Sequence, residues 1–570
     1  MEGQPSENKL VFVISGRLDR KMKPTPDRII KIKKVFESWQ PIAGFLVACT
    51  FLNVLMNFRY PAEGNDFRYL FLISPEIFIL LVLLWLGASR RIPFQRAVFI
   101  PLAVAVIFLR LFRVADSLVP VYFFRPFNLY LDSQFFPDLI FLLYSTLPLQ
   151  TFIAGCFSAV CGIALIAWGT WRALITIYAF FNGRRHRQLF SFAAVIIGVF
   201  IYSYNPWAGD HRRAIFAPGF FHRVVAEIDF ILHLSATTER HLAALGQGIQ
   251  KSAQFQIPLT RLNDSDVYVF FIESYGHTVF ADPRHAPLIA PLLRDAERQL
   301  QERGYLIASN FLKSPAFGGS SWLAHGELAG GVPITSQLRY DLLLTSQVQP
   351  IAEYFNRAGY RTVSVMPGTL WPWSAGQFYK YRKKYYAFDF DYRGPKFGWA
   401  PMPDQYVIDR IYRTEILKRR QPLFIEFILI SSHAPFNQQP RYVPDWSAVG
   451  DGSIYHSLKP VEFPVTWPQL ENASEAYLNS VMYDLKVLAE FLAQMIDGDA
   501  VIIILGDHQP NLKITGERQP WSIPVHIISR NPDFIKPFIH RGYTPGLIPS
   551  QPLPHQGIAS LLWVLLEDFS

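Results

Sequence analysis

The chain has 570 residues, 50% of them hydrophobic and 17% charged, with a formal net charge of +9. Long apolar runs fill roughly the first two hundred residues and a mixed pattern follows, which excludes whole-chain disorder, a collagen-like fibre and a purely cytosolic enzyme. The three cysteines, Cys49, Cys156 and Cys161, all lie in apolar runs, so the polar half has no disulfide framework and no cysteine-based nucleophile or metal site.

The chain opens on a basic segment, 1–40, which carries Arg17, Arg20, Lys21, Lys23, Arg28, Lys31, Lys33 and Lys34 and lacks the apolar core of a cleavable signal peptide. A membrane domain is expected over 41–204. Five runs, at 41–58, 69–88, 96–112, 150–178 and 189–204, are predicted to span, since a hydrocarbon core needs about 20 apolar residues as helix. The aromatic and proline-rich stretch 118–147 is expected as an interfacial loop with a re-entrant piece. Arg90, Arg91 and Arg96 follow the second run, and Arg184, Arg185 and Arg187 follow the fourth. The other connections mix Arg with Glu63, Asp66, Asp116 and Asp132. Basic connections stay cytoplasmic, so the amino terminus is predicted inside and everything after 204 outside a bacterial-type cell membrane. These cytoplasmic flanks, which also meet anionic lipid, account for the positive charge. No base-reading motif points to nucleic acid.

A linker follows at 205–258, with an amphipathic helix predicted over 223–251, either along the membrane or packed on the next domain. From 259 to 570, short β-branched or aromatic runs (266–273, 361–366, 423–430, 500–505, 523–529) alternate with helical stretches (288–303, 350–358, 404–418, 475–496). Pro350 suits a first helical position. This pattern predicts a three-layer α/β domain with a mostly parallel sheet.

Ligands of such sheets bind beyond the carboxyl ends of the strands. Three runs end in reactive side chains: Glu273-Ser-Tyr-Gly-His277, Ser431-Ser-His-Ala-Pro-Phe436 and Gly506-Asp-His-Gln-Pro510. One edge therefore receives a carboxylate, a histidine and an Asp-His pair. A fourth segment, Phe317-Gly-Gly-Ser-Ser-Trp-Leu-Ala-His-Gly-Glu327, reads as a glycine turn feeding a helix. Free N–H groups at such a helix start favour phosphate and a serine alkoxide; alone the segment reads first as an ordinary Ser cap, and beside the strand-end carboxylates the nucleophile reading takes precedence.

Together, these four motifs resemble the sulfatase-like branch of the alkaline phosphatase superfamily. With five spans before them they resemble its lipoteichoic acid synthase-like type of membrane-anchored phosphoglycerol and phosphoethanolamine transferases. The resemblance implies that Glu273, Asp507, His508 and the hydroxyl of Ser321 bind one divalent metal, Mn²⁺ or Zn²⁺, with a second metal as an alternative. It also implies that Ser321 is the nucleophile, in preference to Ser320, because Glu327 follows it by six residues. His433 is implied to contact the phosphate or move a proton.

This chain departs from the family in having Ser for Thr at the nucleophile, His325 where an acidic residue is common, and Pro367 where a histidine is expected. Trp371, Trp373 and Arg382 offer only a loose substitute for the substrate cluster. The missing formylglycine cysteine disfavours sulfate-ester hydrolysis, and the missing disulfides favour phosphoglycerol-type chemistry. Among other histidines, His277 is expected at the surface or behind the site, His526 in the core, and His555 where some relatives have a further polar or metal residue.

The implied function is transfer of a phospholipid head-group phosphate onto an extracytoplasmic glycan or lipid acceptor through a covalent Ser intermediate. A hydrolase of the same superfamily and a non-catalytic lipid-binding regulator are the alternatives.

Overall fold

The computed structural model describes residues 26–60, 70–204, 215–255, 259–371, 373–465, 472–516, 519–550 and 556–570. The chain divides into two compact units. One comprises Met1–Tyr60, Gly64–Arg110 and Val160–Gly219, and the other Pro61–Glu63, Leu111–Ala159 and Phe220–Ser570.

The first half of the chain is helical: α1 (Pro26–Asn57), α2 (Pro75–Ser89), α3 (Phe99–Phe123), α4 (Phe136–Thr146), α5 (Leu149–Asn182) and α6 (Arg184–Tyr204). Three stretches, Trp39–Asn57, Arg96–Phe123 and Leu149–Asn182, are long and apolar enough to cross a membrane. These make the chain a membrane protein. The run expected at 69–88 forms α2, which is apolar but only 15 residues long, short of the ~20 of a perpendicular span. The run at 189–204 lies in α6, where side chains from 195 onward are outside the described residues. Within the first unit, Leu52, Leu84, Leu174, Ile177 and Phe181 form a buried core. Leu46, Val47, Val104, Leu165 and Trp168 stay exposed, as on helices apolar all round. The stretch expected as a loop, 118–147, is largely helical. The apolar run of α3 continues to Phe123, and Pro137 occupies the first turn of α4, where its missing N–H costs nothing.

The single helix expected at 223–251 is two, α7 (Phe221–Leu232) and α8 (Leu234–Gln254), broken at His233. The sheet of the second unit has eight strands: β1 (Asp266–Ile272), β2 (Leu306–Lys313), β3 (Arg361–Met366), β4 (Lys383–Tyr386), β5 (Leu423–Leu429), β6 (Ala500–Gly506), β7 (Ser522–Ser529) and β8 (Thr544–Pro545). Their order is β8-β2-β7-β6-β1-β5-β3-β4. The run from β6 to β4 is parallel, and β7, β2 and β8 add antiparallel pairs. The sheet is thus mostly parallel; of the strands predicted from the sequence, β7 alone runs the other way, which the sequence pattern does not foretell.

Alternation along β1 builds two cores. Tyr268, Phe270 and Ile272 pack with the helices α9 (Ala286–Glu302), α12 (Asp404–Ile411) and α13 (Ala473–Met495). Val267, Val269 and Phe271 pack with α10 (Ser321–Gly330), α11 (Ile351–Arg357) and α14 (Ile558–Phe569). Every residue of β1 is buried, which explains the continuous apolar run. Pro350 sits at the N-cap of α11, one position before the helix, because its extended backbone (ψ 156°) cannot belong to it.

Candidate active site

The three motif-bearing strands are neighbours: β6, β1 and β5 lie side by side and parallel, so their carboxyl ends open on one edge. Ile272 is level with Gly506, which sets Glu273 beside Asp507. Gly506 is required there, since a Cβ would stand 1.9 Å from the Tyr275 carbonyl oxygen.

Glu273, Asp507 and His508 are buried and close into one cluster, with ligand atoms all within 4.8 Å of one another. His508 Nε2 is 3.2 Å from Glu273 Oε1 and 3.9 Å from Asp507 Oδ2. Backbone amides hold the set: Ser274 N–H (2.8 Å) and His508 N–H (2.7 Å) both donate to Asp507 Oδ1. His508 Nδ1 lies 2.8 Å from the Gln509 carbonyl oxygen, which leaves Nε2 facing the carboxylates.

Ser321 reaches this cluster from α10. Its Oγ donates to Glu273 Oε2 (3.0 Å) and lies 3.2 Å from His508 Nε2. Ser320, the residue before it, has left-handed backbone (φ 65°, ψ 39°) and makes no side-chain cap. Such strain in a non-glycine residue costs on the order of 1–3 kcal/mol. Preceding it, Gly318 has φ +71°, and a Cβ there would stand 1.8 Å from the Tyr122 carbonyl oxygen. The turn before the serine therefore rests directly on backbone at the end of α3. Phe124 stacks obliquely on Phe317 (5.2 Å) and Phe135 on Trp322 (5.4 Å), on either side of the serine.

His433, past the end of β5, is half-buried and stacks on Trp399 at 4.0 Å. Its Nδ1 lies 2.6 Å from the Ala434 carbonyl oxygen, leaving Nε2 as the free ring nitrogen. Asp404 holds this loop by accepting from the amides of Ile430 (2.8 Å) and Ser431 (2.6 Å), and Ser432 Oγ donates to the Glu273 carbonyl (2.8 Å). Trp399 and Asp404 have no counterpart in the sequence reading. Neither residue carries a local signal, because each acts across more than twenty positions of chain.

The charges in the cluster are mutually dependent. Burial raises Asp507, and the neighbouring Glu273 carboxylate raises it further, to about 8. Burial pulls His508 down, but Asp507 and Glu273 outweigh it and push it up to about 9. Burial also opposes the charge of Glu273, yet His508 and then His433 hold its carboxyl below the usual range. With both carboxylates ionised, the pair would carry more negative charge than the one imidazolium offsets, which is why Asp507 holds its proton. A divalent cation taking the place of the imidazolium proton would balance them, and the oxygen and nitrogen donors suit such a cation.

Other expected residues fall elsewhere. His325 is buried one turn after Ser321, with its ring 4.4 Å from Phe271, and burial takes it down to about 4, so it is neutral. His277 is buried edge-on against Phe311 and is not at the surface. His526 is a satisfied core histidine between Tyr275 (3.0 Å) and Ser309 (2.7 Å). His555 lies outside the described residues. The loose aromatic and Arg cluster does not assemble. Val363 pairs with Lys383, which puts Arg382 at the amino edge of the sheet, bonded to Asn356 (3.0 Å). Trp373 packs on Tyr379 (4.9 Å). Trp371 remains near the carboxyl edge, against Phe141 (4.3 Å).

Comparison with known proteins bears on one stretch of the chain. The family model described as Sulfatase matches residues 333–530. The sulfatase-like resemblance carried by the motifs thus holds for this stretch, which contains His433, Asp507 and His508; the fold adds Glu273 and Ser321 from outside it. Among solved structures, the chain is similar to the lipooligosaccharide phosphoethanolamine transferase A of Neisseria meningitidis, an integral membrane protein (11% identity, TM-score 0.45, 92% of this chain and 95% of that one). It is also similar to a Streptococcus pyogenes phosphoglycerol transferase solved with sn-glycerol-1-phosphate (11%, 0.34, 59% and 91%). A third similar structure is the Listeria monocytogenes lipoteichoic acid synthase (15%, 0.33, 46% and 65%), of which the chain spans just under two thirds. No curated protein matches the sequence.

Proposed function

We propose that the protein is a metal-dependent transferase that moves a phospholipid head-group phosphate, phosphoglycerol or phosphoethanolamine, onto an extracytoplasmic glycan or lipid hydroxyl. The single observation that carries this reading is the serine hydroxyl held 3.0 Å from Glu273 and 3.2 Å from His508, within a buried set of metal-type donors. The substrate class is that implied by the motifs' resemblance, and similar structures carry the names of phosphoglycerol and phosphoethanolamine transferases.

Glu273, Asp507, His508 and Ser321 would hold Mn²⁺ or Zn²⁺. When bound, that ion supplies Lewis acidity, which lowers the pKa of the serine hydroxyl and offsets charge on the phosphoryl oxygens. In the first step Ser321 Oγ forms a bond to phosphorus and loses its proton, while the phosphorus–oxygen bond to diacylglycerol breaks. His433 protonates the leaving oxygen and is left neutral, and the proton released by the serine passes to solvent. In the second step the acceptor hydroxyl yields its proton to His433 and attacks phosphorus. The bond to Ser321 breaks, and the serine is reprotonated.

The test is mass spectrometry of the full chain after incubation with phosphatidylglycerol and, separately, phosphatidylethanolamine. Ser321 is expected to gain the mass of glycerol phosphate or ethanolamine phosphate less one water, and Ser321→Ala to gain nothing and to lose transfer. Full transfer by the alanine variant would dismiss the assignment.

A further inference from the structure

The connection between α3 and α5 belongs to the same compact unit as the catalytic cluster, and it carries an apolar face that, among the described residues, is largely exposed, with only Tyr144 touched at its edge by Phe152 (5.6 Å). On α4, Phe136, Leu139, Ile140 and Tyr144 are 62%, 49%, 44% and 53% exposed. They fall at positions i, i+3, i+4 and i+8, which puts them on one side of the helix. The helix itself is anchored at the active site: Phe135, just before it, meets Trp322, the neighbour of Ser321, and Phe141 meets Trp371 beyond β3. Both ends of the connection continue into stretches long and apolar enough to cross a membrane, Arg96–Phe123 and Leu149–Asn182. The chain is thus tethered to bilayer on both sides of this face. An eleven-residue helix is about 16 Å long, close to half of a hydrocarbon core of about 30 Å.

We infer that this face of α4, with Trp371 at its flank, receives the acyl and glycerol end of a bilayer-embedded phospholipid while the phosphodiester lies at Ser321. This inference rests on the proposed transferase function and assigns donor recognition to residues 136–144, outside the stretch that matches the sulfatase family. A large exposed apolar face is costly in water, at about 25 cal/mol per Å², and acyl chains remove that cost. The face bears no charge, so it does not suit a free, water-soluble phosphate ester as its ligand; such an ester would be bound by the cluster alone.

The test uses the full chain in phospholipid nanodiscs and compares two substrates: a diacyl phospholipid in the disc and bis(p-nitrophenyl) phosphate in solution. For the double variant Leu139→Gln, Ile140→Gln, the ratio of kcat/KM for the lipid to that for the soluble diester is expected to fall at least tenfold. An unchanged ratio, whether both rates hold or both decline together, would overturn the inference and leave the transferase reading intact. Wild-type chain inert toward both substrates would remove that reading and this inference with it. A readout independent of turnover is a spin label at Ile140→Cys, with Cys49, Cys156 and Cys161 replaced by Ala. The label should be accessible to oxygen and shielded from a nickel chelate; free access of the nickel chelate would overturn the inference.

Discussion

The two halves of the site are built on different principles. The floor, made by Glu273, Asp507 and His508, sits at the ends of adjacent central strands, is buried, and is fixed by backbone amides that no side-chain motion can withdraw. The rim, made by His433, Trp399, Trp371 and the start of α4, is partly exposed and held by ring contacts. A floor that binds a cation must keep its donors in place while it is empty, or their mutual repulsion would scatter them. A rim that admits two successive substrates must instead yield to different shapes.

Three changes test that contrast. The largest effect is expected from the floor. Asp507→Asn removes a carboxylate from the donor set while keeping its shape, and should cut transfer on the order of 10²–10³-fold. Bound metal, measured by inductively coupled plasma mass spectrometry, should fall in parallel; full metal content would contradict the role assigned to Asp507. A smaller effect is expected at the rim. Trp399→Ala removes a stacking partner worth about 0.5–1.5 kcal/mol, which should lower kcat about threefold to tenfold and shift the pH–rate profile while metal content stays at the wild-type level. Loss of metal in this variant would merge floor and rim into one unit.

The smallest effect on activity is expected from Glu426→Gln, in the middle of β5 and away from both. Burial raises Glu426 to about 7, although Tyr381 donates to it at 2.8 Å. The folded value exceeds the unfolded value near 4.5, so its contribution to stability is complete below that pH and is lost as pH rises through about 7. The slope is up to about 1.4 kcal/mol per pH unit. The glutamine variant should show a flatter melting temperature between about pH 5 and pH 8 by calorimetry, with turnover close to wild type. A slope equal to the wild-type one would place the titration elsewhere.

The floor was largely legible in the sequence, because each donor directly follows an apolar run and parallel neighbours deliver such residues to a shared edge. The rim was not. Trp399 and His433 are 34 positions apart and meet only through the loop that Asp404 ties down. Arg382, only a loose candidate from sequence, lies away from the site because its position depends on the register of β3 against β4, which no local pattern encodes. The same limit hid β2 and β4: Ser309 and Asn310 interrupt the first, and two lysines open the second, so neither shows the continuous apolar signature. In the first half, α2 gave the composition of a span but lacked its length.

The contact of Gly318 with the Tyr122 carbonyl has a practical side. A truncated protein starting near residue 259 would retain every proposed metal donor and still lack the surface against which the nucleophile turn is seated. Inhibitors selected on such a fragment would meet a looser serine than the one in the intact enzyme. Screening campaigns would do better with the whole chain in detergent or nanodiscs.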